Sequence, residues 1–275
     1  MTLQKIGFIL VLIFVILLII PLIYMVGGSF HPNIELLNIP PPIISRSMTL
    51  ENYVNVFQYP ILRWTLNSII VAFCGSVLGC GINLLAGYAF AKKKFFGKEV
   101  IFNLFLITLI IPMQITLIPS FLIIKGLGLY NSLGAVILPC GLSAFAVFMF
   151  RRFIETIPDE YFMMATIDGC NEFQKITRIL IPLVAPAIAT ILLLSFVGIW
   201  NNYLWQMIVL GDVELKTLPL GIVEIIHHEN MADPSGAPGY GTMTATGVFG
   251  LLPVLLVFIF GQKYYLKGLF GSFKQ

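Results

Sequence analysis

Long apolar runs separated by short polar joints make up almost the whole chain. A membrane span needs roughly 20 mostly apolar residues. Six runs qualify, at about 6–27, 66–91, 100–121, 132–150, 183–209 and 243–262. The first run follows a single Lys5 and continues through Pro21. It is longer than the roughly 7–15-residue apolar core of a secretory signal, so it reads as a retained span. Pro112 and Pro119 interrupt the third run, and Pro139 the fourth. Broken helix at membrane depth is tolerated only where protein or a watery path satisfies the freed backbone, so these breaks point to a transport path. The pattern predicts an all-α polytopic membrane protein, one transmembrane domain over residues 1–275 with six helices.

Composition agrees with this pattern. Hydrophobic residues are 58% of the 275 and mean hydropathy is +0.95, against about 45–50% apolar in a soluble domain. The net charge of +3 says little, but the placement of cations says more. With the N-terminus in the cytoplasm, the inner segments carry Lys5, Lys92, Lys93, Lys94, Lys98, Arg151, Arg152, Lys175, Arg178, Lys263, Lys267 and Lys274. The outer segments carry Arg46, Arg63, Lys125 and Lys216. A split of 12 to 4 selects this orientation, with both termini cytoplasmic. Cys74, Cys80, Cys140 and Cys170 form no C-x-x-C pair and read as small hydrophobic side chains.

The fourth joint is different from the others. From Arg151 to Arg178 it holds nine charged residues, in a chain that is 11% charged. Pro158 suits the first turn of a helix, and Asp159 and Glu160 have the sign that a helix N-terminus prefers. The helix is expected from Tyr161 to Asp168, with Gly169 as its left-handed stop. Asn171 with Gln174 three residues on reads as a capping box for a second helix, which Pro182 and Pro186 end. The first helix is expected to expose Tyr161, Phe162, Met163, Met164 and Ala165. Either the protein's own helix ends or a cleft in a partner protein must cover such a cluster. Residues 151–182 are therefore expected to form a cytoplasmic helix–turn–helix between spans four and five.

Other features carry weaker signals. Gly75-x-x-x-Gly79 is a small-residue face that lets helices approach closely in lipid. Trp200, Asn201, Asn202, Tyr203 and Trp205 lie toward the outer half of the fifth span. Aromatics there serve as interface anchors, whereas amides at depth face protein or water. Asn201, Asn202 and Trp205 are the candidate substrate path, suited to a polyol or sugar. Thr49 is placed to cap a short helix from Leu50-Glu51, after the extended Pro40-Pro41-Pro42. His227-His228-Glu229 read as solvated residues of an outer loop at about 210–242, which is turn-rich over ENMADPSGAPGYG. No metal ligand set is expected.

At the polar joint the chain resembles permease subunits of binding-protein-dependent ATP-binding-cassette importers. Their loop carries Glu-Ala-Ala, three residues, Gly, nine residues, Ile, one residue, Leu-Pro. Ala165, Gly169, Ile179 and Pro182 fall at that spacing; Met163, Met164 and Ile181 replace the Glu, the first Ala and the Leu. LNSIIVA at 66–72, GYAFAKKKFFGK at 87–98, IPMQITLIPSF at 111–121 and LGLYNSLGAVILP at 127–139 are similar to the carbohydrate-uptake branch. So are IWNNYLWQMIVL at 199–210, TLPLGI at 217–222 and QKYYLKGL at 262–269. The closest likeness is to the smaller permease of maltose-, oligosaccharide- and glycerol-3-phosphate-type importers.

The resemblance implies alternating access by two permeases, two cytoplasmic ATPases and an extracytoplasmic solute-binding protein. It makes Tyr161, Phe162, Met163, Met164, Ala165, Asp168, Gly169 and Pro182 the ATPase-coupling residues. With Met163 in place of the glutamate, the coupling surface should lean on apolar packing. ATP and Mg would bind at the partner ATPases and no cofactor at this chain, which lacks a G-x-x-x-x-G-K-[ST] loop. Membrane lipid is a partner and nucleic acid is not. A polyol-phosphate importer is the alternative. An intramembrane enzyme would need paired catalytic groups in spans, and no G-x-S-x-G or H-E-x-x-H occurs. A solitary secondary transporter would show more spans or a repeat.

Overall fold

A computed structural model describes residues 3–38, 42, 47–231 and 239–270, and the described residues are helical with irregular joints. Arg46, Lys274, Pro40, Pro41 and residues 232–238 of the turn-rich stretch lie outside the described residues, as do the side chains of Lys263 and Lys267. Three helices are long and apolar enough to cross a membrane alone: Gly7–Gly28, Ile61–Lys92 and Tyr240–Ile259. The count reaches six if three bent helix pairs each make one span.

Proline chemistry sets the bends. The third apolar run divides into Lys98–Ile107 with a tighter turn to Ile110, then Met113–Gly126, at 108°. Pro112 offers no N–H and excludes helical geometry at the residue before it; Ile111 is extended at φ −77°, ψ 117°. Pro119 lies inside the second arm without breaking it. The fourth run bends by 41° between Gly134–Gly141 and Ala144–Glu155, where Ser143 caps the second helix by accepting from the Ala146 N–H. Glu172–Leu183 meets Ala185–Trp200 at 81°, around Val184 and ahead of Pro186. The fifth run breaks once more at Asn201-Asn202, before Tyr203–Val209.

The chain divides into two compact units, Met1–Trp64 with Leu218–Leu255, and Thr65–Thr217 with the chain from Leu256. In the first, the turn after Leu3–Gly28 is tied by Asn52, whose Nδ2 donates to the carbonyls of Ser29 (3.0 Å) and His31 (2.7 Å). The short helix is Glu51–Val56, and Thr49 Oγ1 accepts from the Glu51 N–H at 3.1 Å. Trp64 is buried against Gly221, where a Cβ would overlap the indole. The stretch expected as an outer loop is more regular than that. Leu218–Met231 is a helix because Leu218, Gly221 and Ile225 recur on one buried face. His227 and His228 are therefore exposed helical residues, and Tyr240 and Gly241 open the last helix.

The second unit is built on the face of Ile61–Lys92. A Cβ on Gly75 would lie 3.0 Å from Ile199 Cδ1, and one on Gly79 would lie 2.6 Å from the Cys140 carbonyl oxygen. Gly87 continues the contact, with Phe150 Cβ 2.5 Å from where its own Cβ would sit. The predicted Gly75–Gly79 face is thus a packing face, and it extends to the helix end. Gly87→Val should lower stability by about 1–3 kcal/mol through overpacking. Gly81→Val, where a Cβ meets nothing within 4 Å, should shift far less. Thermal unfolding of the purified protein in detergent checks this, and equal shifts would refute it.

Candidate functional site

The polar joint folds as its capping residues predict. Its first helix is Asp159–Ile167, two residues earlier than expected, because Pro158 (φ −56°, ψ 140°) caps it from outside the first turn. Gly169 takes φ +76°, left-handed backbone in which a Cβ is strained, and ends the helix. Asn171 and Gln174 complete the capping box: Asn171 Oδ1 accepts from the Gln174 N–H and Gln174 Oε1 from the Asn171 N–H, both at 2.9 Å. After Glu172–Lys175 the backbone widens into a π-turn over Ile176–Leu180. Pro182 and Pro186, expected to end this helix, instead sit in the first turns of Ile181–Leu183 and Ala185–Trp200, where a missing N–H costs little, and the break falls at Val184 between them.

The apolar cluster divides into two faces. Phe162 and Ala165 were expected outside; they are buried, at 9% and 5% exposure. Residues 162 and 165 share one side of a helix, and here that side meets the rest of the unit. Phe162 joins a core with Leu84, Tyr88, Phe150, Ile154 and Leu180. Its ring lies 5.8 Å from Tyr88 and 5.5 Å below Lys92 Nζ. Tyr161, Met163, Met164 and Asp168 face outward. Two residues missing from the expected cluster extend that face: Ile167, at 85% exposure, and Phe173, at 73%. Ile167 was legible, standing three and four residues after Met164 and Met163.

The lysines that hold the joint were read in the sequence as orientation signals and, with Tyr88, as part of a family-like stretch, not as its fastening. Lys92 Nζ donates to Asp159 Oδ1 and to the Ile157 carbonyl, both at 2.6 Å. Lys93 Nζ donates to Glu172 Oε2 at 2.5 Å, and Tyr88 OH donates to the same oxygen at 3.1 Å. Lys175 Nζ donates to Glu172 Oε1 at 3.1 Å. Both helices of the joint are thus fastened at their first residues, Asp159 and Glu172, to one helix end.

The fifth-run candidates lie elsewhere, beyond the 16-residue helix Ala185–Trp200, about 24 Å long at 1.5 Å per residue. Asn201 is exposed and Asn202 half-buried at the break, where Asn202 Oδ1 accepts from the Trp205 N–H (3.4 Å). With Tyr203, Leu204, Met113, Gln114 and Leu117 they line a cleft of about 190 Å³. Two helix breaks, after Pro112 and at Asn201, therefore share one cleft. Trp205 is buried behind it and donates from Nε1 to the Ala135 carbonyl at 3.0 Å. Gln206, unremarked in the sequence, is buried; its Nε2 donates to the Ile199 carbonyl at 3.1 Å and its Oε1 accepts from the Thr217 hydroxyl.

The two fastened carboxylates, Asp159 and Glu172, lie outside the apolar runs. The Lys93 hydrogen bond, then that from Lys175, holds Glu172 down from the usual 4.5 to about 2. The Lys92 hydrogen bond holds Asp159 below its ordinary value. A depressed carboxylate contributes stability in full above its unfolded pKa, and that stability is lost as pH falls through the folded value. The fastening of the joint should therefore be constant from neutral pH to about 4.5 and loosen toward about 2. Intrinsic-rate-corrected hydrogen exchange of residues 158–183 across pH reads this. Glu172→Gln should raise exchange already at neutral pH, and unchanged protection there would overturn the assignment.

Comparison with known proteins agrees with this architecture. The family described as "Binding-protein-dependent transport system inner membrane component" matches residues 83–269. The arabinooligosaccharides transport system permease protein AraQ of Bacillus subtilis (strain 168) is 34% identical over 258 residues, covering 92% of this chain and 89% of AraQ. The lactose transport system permease protein LacG of Rhizobium radiobacter is 30% identical, over 93% of this chain and 91% of LacG. In structure the chain is similar to one from the crystal structure of a bacterial ABC transporter involved in the import of the acidic polysaccharide alginate. The TM-score is 0.85 at 24% identity, over 95% of this chain and 96% of that one. On these matches, and with its apolar helices, the chain belongs to the inner-membrane components of binding-protein-dependent transport systems, a family of multi-pass ABC-transporter permease subunits that are not themselves enzymes.

Proposed function

We propose that this chain is the permease subunit of an ATP-driven sugar or oligosaccharide importer, with residues 151–182 as its cytoplasmic coupling loop. The observation that carries the reading is the outward face of that loop. Tyr161, Met163, Met164, Ile167 and Phe173 stand exposed on a segment whose other face is already buried. In water such a cluster calls for a cover, and a groove in a cytoplasmic ATPase is the cover that fits the family. Met163 supports a docking surface that is apolar rather than charged. Asp168 and Gly169 make the turn at its edge, and Pro182 marks its return to the membrane.

The full assembly would add a second homologous permease, two ATPase subunits holding ATP and Mg, and an extracytoplasmic solute-binding protein. No cofactor is assigned to this chain. The reading takes each bent pair as one span, six in one transmembrane domain, and the split of 12 cations to 4 supports both termini and the loop in the cytoplasm.

The cleft at the two helix breaks is the candidate substrate path. Gln114, Asn201 and Asn202 offer amides beside the Tyr203 ring, and Trp205 holds the following helix in place. Amides beside a ring suit hydroxyl-rich cargo. The lining has no Lys or Arg, which favours a neutral sugar over a polyol phosphate. The names of AraQ and LacG agree with a saccharide.

Met164→Asp should put a charge into the docking groove and weaken ATPase co-purification about 10-fold or more. Gly169→Trp, at φ +76°, should likewise loosen docking or separate ATP hydrolysis from uptake. Full assembly and normal uptake in both variants would sink the coupling reading. Asn201→Leu should reduce uptake with the ATPase still bound, and unchanged uptake removes Asn201 from the path. A ligand screen on the cognate binding protein identifies the cargo.

A further inference from the structure

We propose that the clamp formed by Tyr88, Lys92 and Lys93 is the mechanical link that carries movement of the docking helix to the cleft at Asn201, with Lys93 and Glu172 as its positioning residues. The proposal rests on the coupling-loop reading above. The covalent route from the loop to the cleft is poorly made for transmission. It passes the Gly169 joint, the π-turn over Ile176–Leu180 and an 81° bend at Val184 before the helix Ala185–Trp200 begins. The left-handed turn at Gly169 and the π-turn depart from regular helix geometry. At Val184 the axis turns by 81° although the Val184 N–H still donates to the Leu180 carbonyl and the Ile188 N–H to that of Val184, so this route is not one straight rod.

The non-covalent route is stiffer. Ile61–Lys92 is one helix of 32 residues, with no proline inside it. Lys93 adds to its last turn, its N–H donating to the Ala89 carbonyl at 3.1 Å. The clamp grips both arms of the loop, Lys92 at Asp159 and Lys93 with Tyr88 at Glu172. One attachment would act as a pivot; two on separate arms, with Phe162 packed between, resist rotation of the loop against the helix. Gly75 is thirteen residues before Tyr88, about 20 Å along the axis. There the same helix bears on Ile199, two residues before Asn201. Movement of the docking helix therefore reaches the break as a rigid-body displacement of Ile61–Lys92.

The test uses the assembled importer in proteoliposomes, with Asn201→Cys as the reporter and the four native cysteines replaced. A methanethiosulfonate reagent labels the reporter with and without ATP plus vanadate. In the parent, the labelling rate should change with nucleotide. Lys93→Glu, which turns the Glu172 contact repulsive, should shrink that change about 5-fold or more while the ATPase stays bound. Lys93→Gln should give a smaller loss, and Lys93→Glu combined with Glu172→Lys should restore at least part of the response. A purely structural role would lower assembly without this charge-swap rescue. The proposal is overturned if the parent shows no nucleotide-dependent change, if Lys93→Glu keeps the full change, or if the swap restores none of it. Met164→Asp separates the two readings. If it leaves the ATPase bound, the coupling loop itself is misassigned. If it releases the ATPase while Lys93→Glu responds normally, only the clamp is.

Discussion

Backbone polar groups that leave a helix within an apolar medium must find partners, at several kcal/mol for each that does not. This constraint organises the whole chain, because its prolines and turns interrupt so many apolar runs. The answer is repeated with different residues. Asn52 takes the carbonyls of Ser29 and His31, and Asn67 those of Glu214 and Lys216, at 2.8 and 2.9 Å. Asn83 Oδ1 accepts the Ser143 N–H at the fourth-run bend. Asn131, at φ 57°, accepts the N–H groups of Gly211 and Asp212 on one oxygen. Gln206 closes the break at Asn201 by holding the Ile199 carbonyl. Except for Gln206, seven residues from Ile199, each amide lies far in sequence from the backbone it satisfies and so is also a tertiary tie. A bent span is thereby made as definite as a straight one.

The polar joint meets a different problem with charge. It leaves one apolar face exposed and must stay in one orientation. Its inner face packs Phe162 and Leu180 into the core, and its outer face stays open. The ion pairs at Asp159 and Glu172 are partly exposed, and exposed pairs contribute little stability. Their importance is geometric, since they fix the direction of two short helices that could not hold it alone.

Much of this was legible in the residues. The capping box at Asn171, the left-handed Gly169, the bend at Pro112 and the Gly75–Gly79 face follow from local chemistry within a few residues. The site was legible in part. The first helix of the joint was placed within two residues, but Phe162 and Ala165 were assigned to the wrong face, and Ile167 and Phe173 were left out. Helical periodicity says which residues share a face, not which face meets the protein. Lys92 and Lys93 were read for orientation and family likeness, not as fastening, because their acid partners lie 67 and 79 residues away. The stretch at 218–231 was read as loop because its polar residues masked a buried face that appears only beside Trp64.

The sequence by itself determined the membrane class, the all-helical fold and the turn chemistry of the polar joint. All of these depend on hydrophobic length, local charge and backbone preferences, which act over one or two helical turns. Only the tertiary structure decided which side of the joint is buried, which lysines hold it and which two broken helices meet at one cleft. Those depend on contacts between residues far apart in the chain, and no local pattern encodes such a partner.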